Sequence, residues 1–277
     1  MGGLSDDHRT VGEHYDGPAH EYELTRLEQQ SPVERAMMER YLARFVPDQS
    51  VVADIGVGAG HYDESLARRG CTLNLADVSG GLLDAVLRRL QTQGLSDSVL
   101  DARVASATDL SHLADDSCDA VLMLGPLYHL LTLGERRQAV AEARRVLRAG
   151  GVMMAAACNR LVGLASGYFL EPETCLELRD VYRRFLDDGI VDPELAPTIG
   201  HAHFTTVAEF RDLFGDDFEE LILVGIESLT STRQKLFADL SGELQRAWLD
   251  FVEAAALRPE GMAMSEHFLF VGRPRQA

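Results

Sequence analysis

Positive charge is what this 277-residue sequence has least of: 26 lysines and arginines stand against 44 aspartates and glutamates, for a net charge of −18. That balance argues against a nucleic-acid or anionic-membrane surface, since both are gripped by basic patches. Cysteine is scarce and scattered. Cys71, Cys118, Cys158 and Cys175 form no Cys-x-x-Cys pair, so reduced thiols in or near the core are expected and a zinc or other metal site is not. No apolar run reaches the roughly 20 residues of a membrane span. The stretch Met1–Thr10 is polar and acidic, unlike a signal peptide. Repeats and low-complexity segments are absent. The expectation is a cytoplasmic protein with no nucleic-acid or membrane partner.

Apolar residues are plentiful, at 46% of the chain. They suffice for the core of one large domain, alone or with an insertion. Val51–Ile55 reads as a buried strand, and 71–76, 99–105, 118–124 and 152–157 follow as four more. Helices fall between them: His61–Arg69, a helix capped by Ser79 that carries Leu82, Val86 and Leu90, and Gly134–Arg148, ended by Gly150-Gly151. This alternation predicts an α/β fold with a doubly wound, mostly parallel sheet.

On the N-terminal side, residues 1–14 offer little to bury and are expected to be mobile. Tyr15–Leu27 reads as a helical arm. Ser31-Pro32 starts a helix with Glu34 placed for a capping box, followed by Val33, Met37, Tyr41 and Phe45 on one face. After Ala157 the rhythm breaks. Residues 159–204 carry a helical piece around 171–188, with Leu178, Tyr182 and Phe185 on one side, and then a proline-bearing loop. A helix over 205–214, a strand over 219–229, helices within 232–257 broken at Gly242 with Trp248 facing inward, and a strand over Glu266–Val271 complete the pattern. The division this implies is 1–50, arm and covering helices; 51–158, ligand-binding core; 159–204, a helical lid; 205–277, completion of the sheet.

One further absence is informative. A dinucleotide loop wants Gly-x-Gly-x-x-Gly, which from Gly56 would put its third glycine at 61. Residue 61 is histidine; the run is Gly56-Val57-Gly58-Ala59-Gly60, directly after the first strand. Glycines there let backbone approach a ligand closely at the carboxyl edge of the sheet. Asp77 ends the second strand, where a carboxylate accepts hydrogen bonds from both hydroxyls of a ribose. Its rival role is to start the next helix. Asp54 either serves a ligand or holds the turn amides.

These stretches together resemble the class I S-adenosylmethionine-dependent methyltransferases. Residues Val52–Gly60 resemble that family's first motif and Leu73–Ser79 its second. Ser106–Leu110 is similar to the segment over adenine, and Arg145–Gly151 to its Arg-Val-Leu-Lys-Pro-Gly-Gly run. Gly125-Pro126-Leu127-Tyr128-His129-Leu130 resembles a bacterial small-molecule subgroup. Two departures stand out: Val57 replaces Cys or Gly, and Ser106 stands where many members have an acidic residue. The resemblance implies S-adenosyl-L-methionine as cofactor and a Rossmann-like sheet of seven strands with the last antiparallel. It implies cofactor contacts from Tyr15 and Tyr22 on the arm, Asp54, Gly56, Gly58, Gly60, Asp77 and Val78, then Ala107, Thr108 and Asp109, with Gly125 and Leu127 beside the sulfonium.

Methyl transfer from a sulfonium needs in-line alignment more than covalent machinery, and a base only where the acceptor carries a proton. His129 is the candidate base, against a role in packing its loop. Tyr128 either flanks the methyl group or packs. His201 either lines the acceptor pocket or is an ordinary loop residue. Tyr168, Phe169, Phe185 and Phe204 are candidates for an apolar pocket. The expected function is methylation of a small molecule at O, N or C, in specialised natural-product metabolism, with self-association through the arm as a further expectation. Two rivals remain open: a non-catalytic cofactor-binding protein of this fold, and an NAD-type oxidoreductase.

Overall fold

In the computed structural model, residues 4–170, 172–191, 193, 196, 198–215 and 217–275 are described. Val51–Ile55 forms β1, whose last four residues are buried, as befits a strand covered on both faces. Before it lie α1 (Asp6–Asp16), α2 (His20–Gln29) and α3 (Pro32–Phe45). The chain then alternates through α4 (Asp63–Arg68), β2 (Thr72–Asp77), α5 (Gly80–Thr92), β3 (Val99–Val104), β4 (Cys118–Met123), α6 (Leu133–Val146) and β5 (Leu147–Cys158). A less regular stretch carries α7 (Arg160–Leu170), α8 (Thr174–Glu177), α9 (Arg179–Asp188) and two short antiparallel strands, β6 (Ile190–Val191) and β7 (Ala202–His203). Then follow α10 (Val207–Phe214), β8 (Phe218–Gly225), α11 (Lys235–Ala238), α12 (Gly242–Ala256), α13 (Pro259–Ala263) and β9 (His267–Pro274).

Seven strands form one sheet in the order β3-β2-β1-β4-β5-β9-β8, with β9 antiparallel to both neighbours. One face is covered by α3, α4, α5 and α12, which bury Met37, Tyr41, Leu66, Val86 and Val252. The other is covered by α6 and α10, where Val140, Ala143, Phe210 and Phe214 pack on the sheet. Phe214 stacks on Phe270 of β9 with ring centroids 3.7 Å apart. Burying each large side chain of this kind contributes about 1.5–3 kcal/mol. The strand order reverses between β1 and β4, which places a ligand crevice above their carboxyl ends.

Several expectations change. Residues 6–14 are helical rather than mobile. His8 and Val11 are buried, and Gly12 lets α1 lie on the backbone of Val78, where a Cβ would come within 2.5 Å of the Val78 carbonyl oxygen. Ser31 makes no capping bond; the Glu34 carboxylate goes instead to Arg26, a charged partner that outcompetes a neutral amide. The 145–151 run leaves its helix earlier than expected, because pairing of Cys118 with Leu147 draws it into β5. Trp248 is 45% exposed. The inward line of α12 is Leu249, Val252 and Ala256, which leaves Trp248 at its edge against Phe251. Ser79 does cap α5, accepting from the Leu82 amide at 3.0 Å, and the expected break at Gly242 falls at the first residue of α12. No helix among the described residues is long and apolar enough to cross a membrane.

Candidate active site

The chain leaves β1 through three glycines with positive φ, +72° at Gly56, +55° at Gly58 and +65° at Gly60. A Cβ on Gly56 would lie 2.7 Å from Pro126, and one on Gly60 2.6 Å from Val86. Those two glycines therefore allow the turn to pack on its own protein. Gly58 differs, since the nearest atom to its Cβ position is Glu23 Oε1, across the cleft at 3.5 Å. Here the bare backbone is presented to a ligand.

Asp77 stands beside it. Its Oδ2 accepts from the Gly58 amide at 2.9 Å and its Oδ1 from the Ser79 amide at 2.8 Å. Each oxygen keeps a lone pair for a second donor, which suits two vicinal hydroxyls. Burial pushes the carboxyl up to about 6, and the two amides hold it from rising further. Asp54 lies buried below the turn, and its pKa is raised by burial and by the neighbouring carboxylates Asp63 and Asp77.

The N-terminal helices roof this turn. Asp16 Oδ1 accepts from the Gly81 amide at 2.8 Å and from the Ser79 hydroxyl. It thereby ties the end of α1 to the start of α5, within the same chain. From α2, the Glu23 carbonyl meets Nε2 of His61 at 3.3 Å, while Arg26 grips Glu34 of α3 bidentately at 2.6 and 3.2 Å. Behind this pair, Glu227 accepts from Nδ1 of His267 at 2.6 Å. Glu34, Glu227 and His267 have ligand atoms within 4.8 Å of one another, and Arg26 and the raised pKa of His267 already balance the carboxylates.

Under the roof is a cleft that reaches from Asp77 to His129. Tyr15 of α1 hangs into it. His129 follows β4 in a short 3₁₀ turn, Pro126–His129. Nδ1 of His129 meets the His201 carbonyl at 2.9 Å, which can only accept, so Nδ1 carries the proton. Nε2 is then the acceptor, and the Tyr15 hydroxyl donates to it at 3.0 Å. Burial pushes His129 down to about 4, so the ring is neutral at pH 7 with its lone pair engaged by Tyr15. Burial likewise raises the Tyr15 phenol.

Of the residues expected in the site, Tyr15, Asp54, Gly56, Gly58, Asp77, Val78, Ala107, Gly125, Tyr128 and His129 line this cleft. The others stand elsewhere. Tyr22 points outward at 38% exposed. Gly60 packs on Val86. Thr108 bonds to the Ser106 hydroxyl, and Asp109 is exposed and accepts from the Ser111 amide. Leu127 is buried and borders a separate pocket. His201 is exposed; its carbonyl orients His129, and the residue lines a groove with His14 of α1, Pro193 and Ile199. Phe185 and Phe204 pack together away from the cleft with centroids 5.7 Å apart, whereas the side chains of Tyr168 and Phe169 lie outside the described residues. Sequence reasoning missed His8, Val11, Glu23 and Arg26, all of which line the cleft. The only signal available was helical spacing, since positions 8, 11 and 15 fall on one helix face.

Residues 51–158 carry a Rossmann-like sheet whose first turn is a glycine cradle, with a buried carboxylate at the end of β2 beside it. Residues 53–155 match the family described as a methyltransferase domain. Over 109 residues the chain is 35% identical to the mouse (Mus musculus) tRNA (carboxymethyluridine(34)-5-O)-methyltransferase ALKBH8, covering 38% of this chain and 14% of that protein. The chain thus matches only a small part of the length of its curated relatives. Two solved structures share the fold along almost the whole chain. The [4+2]-cyclase SpnF has TM-score 0.64 at 17% identity, with 100% of both chains covered. Geranyl diphosphate C-methyltransferase from Streptomyces coelicolor A3(2), solved with S-adenosyl-L-homocysteine, has TM-score 0.59 at 12% identity, covering 99% of this chain and 100% of that one.

Proposed function

We propose that the chain transfers a methyl group from S-adenosyl-L-methionine to O, N or C of a small molecule, in specialised metabolism. The observation that carries this reading is the roof. α1 and α2 lie over the cofactor cleft through Gly12, Asp16 and Tyr15, leaving a roofed, largely apolar cleft suited to a small acceptor. The bound cofactor supplies an electrophilic methyl group. Gly58 and Asp54 hold the methionine end, Asp77 takes the ribose hydroxyls, and Ala107 borders the adenine. Arg26, which the resemblance does not name, adds a cation near the amino-acid end.

The protein's part is alignment and proton removal. Orienting two reactants recovers about 7–11 kcal/mol of barrier. For an acceptor with an O–H or N–H, the Tyr15 oxygen faces the cleft and accepts the acceptor's proton while passing its own to Nε2 of neutral His129. Residues 159–204 serve as the lid over the acceptor side.

A second reading draws on the match to a tRNA methyltransferase. A net charge of −18 disfavours it, because phosphate binding needs a basic surface. The test is calorimetric titration with S-adenosyl-L-methionine and NAD, then transfer of labelled methyl to metabolite fractions and to bulk tRNA. Binding of S-adenosyl-L-methionine with label in a metabolite fraction supports the proposal. Label in tRNA alone, tight NAD binding alone, or cofactor binding without transfer to any pool would overturn it.

A further inference from the structure

A second pocket abuts the cofactor cleft, and Tyr128 is the wall common to both. It lies beyond the carboxyl ends of β4 and β5, between the 126–129 turn, the start of α6 and the start of α10. Leu127, Leu133, Ala157, Phe210 and Leu213 give it an apolar lining. Its polar edge is formed by Arg136 of α6 with His203, Thr205 and Glu209.

Arg136 is the anomaly. Among the described residues no carboxylate lies within ion-pair distance of it, in a chain with 18 excess negative charges. Nη1 donates to the carbonyls of Leu130 and Leu131 at 2.6 and 3.0 Å. Nη2 reaches Nε2 of His203 at 3.5 Å. That histidine is held neutral, pushed down to about 4 by burial and by the nearby arginines, so it accepts a bond without balancing the charge. The nearest candidate counter-ion, Glu209, is committed elsewhere. It pairs with Arg160 at 2.6 Å and closes the capping box of α10. Arg136 is itself half-buried. A partly desolvated guanidinium without a carboxylate partner is costly unless an anion joins it, and its planar fork matches a carboxylate geometrically.

We infer that this pocket receives the methyl acceptor, and that the acceptor is an apolar molecule bearing a carboxylate which Arg136 binds. The inference rests on the methyltransferase reading for the role of the neighbouring cleft, and it names the substrate class. The apolar walls hold the body of the acceptor. The carboxylate sits at the Arg136 end, and the methylated atom reaches past the edge of Tyr128 into the cofactor cleft that Tyr15 also lines.

The test uses the full chain preloaded with S-adenosyl-L-homocysteine. The probes are paired acids and amides: phenylacetate with phenylacetamide, indole-3-acetate with indole-3-acetamide, and hexanoate with hexanamide, followed by calorimetry at pH 7.5. At least one acid is expected to bind tenfold or more tightly than its amide. Arg136→Gln should abolish that preference and Arg136→Lys should keep part of it, with S-adenosyl-L-homocysteine affinity within twofold of wild type in both. Equal binding of acid and amide, binding of neither, or a preference that survives Arg136→Gln would overturn the inference. If Arg136→Gln fails to fold, the acid–amide comparison on the unaltered protein still decides. Failure to bind S-adenosyl-L-homocysteine would instead overturn the methyltransferase reading, so the two failures are distinct.

Discussion

The hydroxyl of Tyr15 lies 3.0 Å from Nε2 of His129, across 114 residues of sequence, and this bond joins the first helix to the turn after β4. With Nδ1 held by the His201 carbonyl, it fixes a single neutral tautomer. Nitrogen-15 spectra of the imidazoles should show His129 protonated at Nδ1 only and titrating near 4. Its folded pKa is below the unfolded value of about 6.5, so its contribution to stability is complete above that pH and is lost as pH falls toward 4. Tyr15→Phe removes the Nε2 partner but leaves the burial that lowers the pKa, so the midpoint should stay well below 6.5. A midpoint at or above 6.5 in the unaltered protein would contradict the geometry.

Cofactor binding should depend on the charge of Asp77. The carboxyl titrates at about 6 in the folded protein. Above that pH both oxygens accept; below it, one becomes a donor and a ribose bond is lost. Affinity for S-adenosyl-L-homocysteine should therefore fall between pH 7.5 and 5. Asp77→Ala should weaken it at least about tenfold at pH 7.5, given about 1.5–3 kcal/mol per charge-assisted bond. Calorimetry at the two pH values checks both, and an unchanged affinity in the variant removes Asp77 from the site.

Gly12→Val addresses the roof. The new side chain meets the Val78 carbonyl, and overpacking of this kind costs about 1–3 kcal/mol. α1 lies outside the sheet core and can lift off Val78 to relieve the clash, so the sheet should melt at nearly the same temperature. Cofactor affinity should drop, and trypsin should cut at Arg9 faster than in the unaltered protein. Equal protection of Arg9 in both proteins would show that α1 is not held by this contact.

Arg26 and Glu34 should behave as a unit. Arg26→Met removes the bidentate partner of the buried Glu34 carboxylate, leaving it only His267 at 3.8 Å, and should destabilise the fold by about 3 kcal/mol. Adding Glu34→Gln should recover part of that loss, the remainder belonging to Glu23, which Arg26 also pairs with at 3.3 Å. Urea unfolding of the two single variants and the double variant measures the coupling. Additive losses would mean that the bidentate contact carries little energy.

Asp63 offers a stability test of opposite sign. It is fully buried against Asp54, and burial pushes it up to about 7, with Asp54 holding it from rising further. The folded pKa exceeds the unfolded one, so the ionised group destabilises the fold at pH 8 and this penalty fades as pH falls from 7 toward 4. Asp63→Asn should raise stability at pH 8 by about 1 kcal/mol or more and flatten that part of the pH profile. Thermal melting from pH 4 to 8 is the measurement.

Much of the core was legible because its information is local. Val51–Ile55 followed by three alternating glycines identifies a strand and a turn that only glycine allows. Ser79 ahead of an apolar 3.6-residue period identifies a capped helix, and Asp77 falls at a strand end by counting. The roof was not legible in this way. Residues 6–14 carry few apolar side chains, and what holds them is a missing Cβ at Gly12 and an Asp16 carboxylate on a distant helix end. Neither leaves a periodic mark. Asp109 was misplaced for the converse reason: a local turn bond to Ser111 satisfies it and takes it away from the cleft.

The sequence alone determined the alternation of strands and helices over residues 51–157, the glycine cradle, the carboxylate at the end of β2 and the absence of a dinucleotide spacing. Each follows from backbone sterics and hydrophobic periodicity within some 20 residues. Only the tertiary structure decided that Tyr15 occupies the lone pair of His129, that Arg26 and Glu34 lock the roof, and that Arg136 stands without a counter-ion beside an apolar pocket. Those facts depend on which side chains meet across 8 to 114 positions of chain and on how burial changes their charge. No local pattern encodes either.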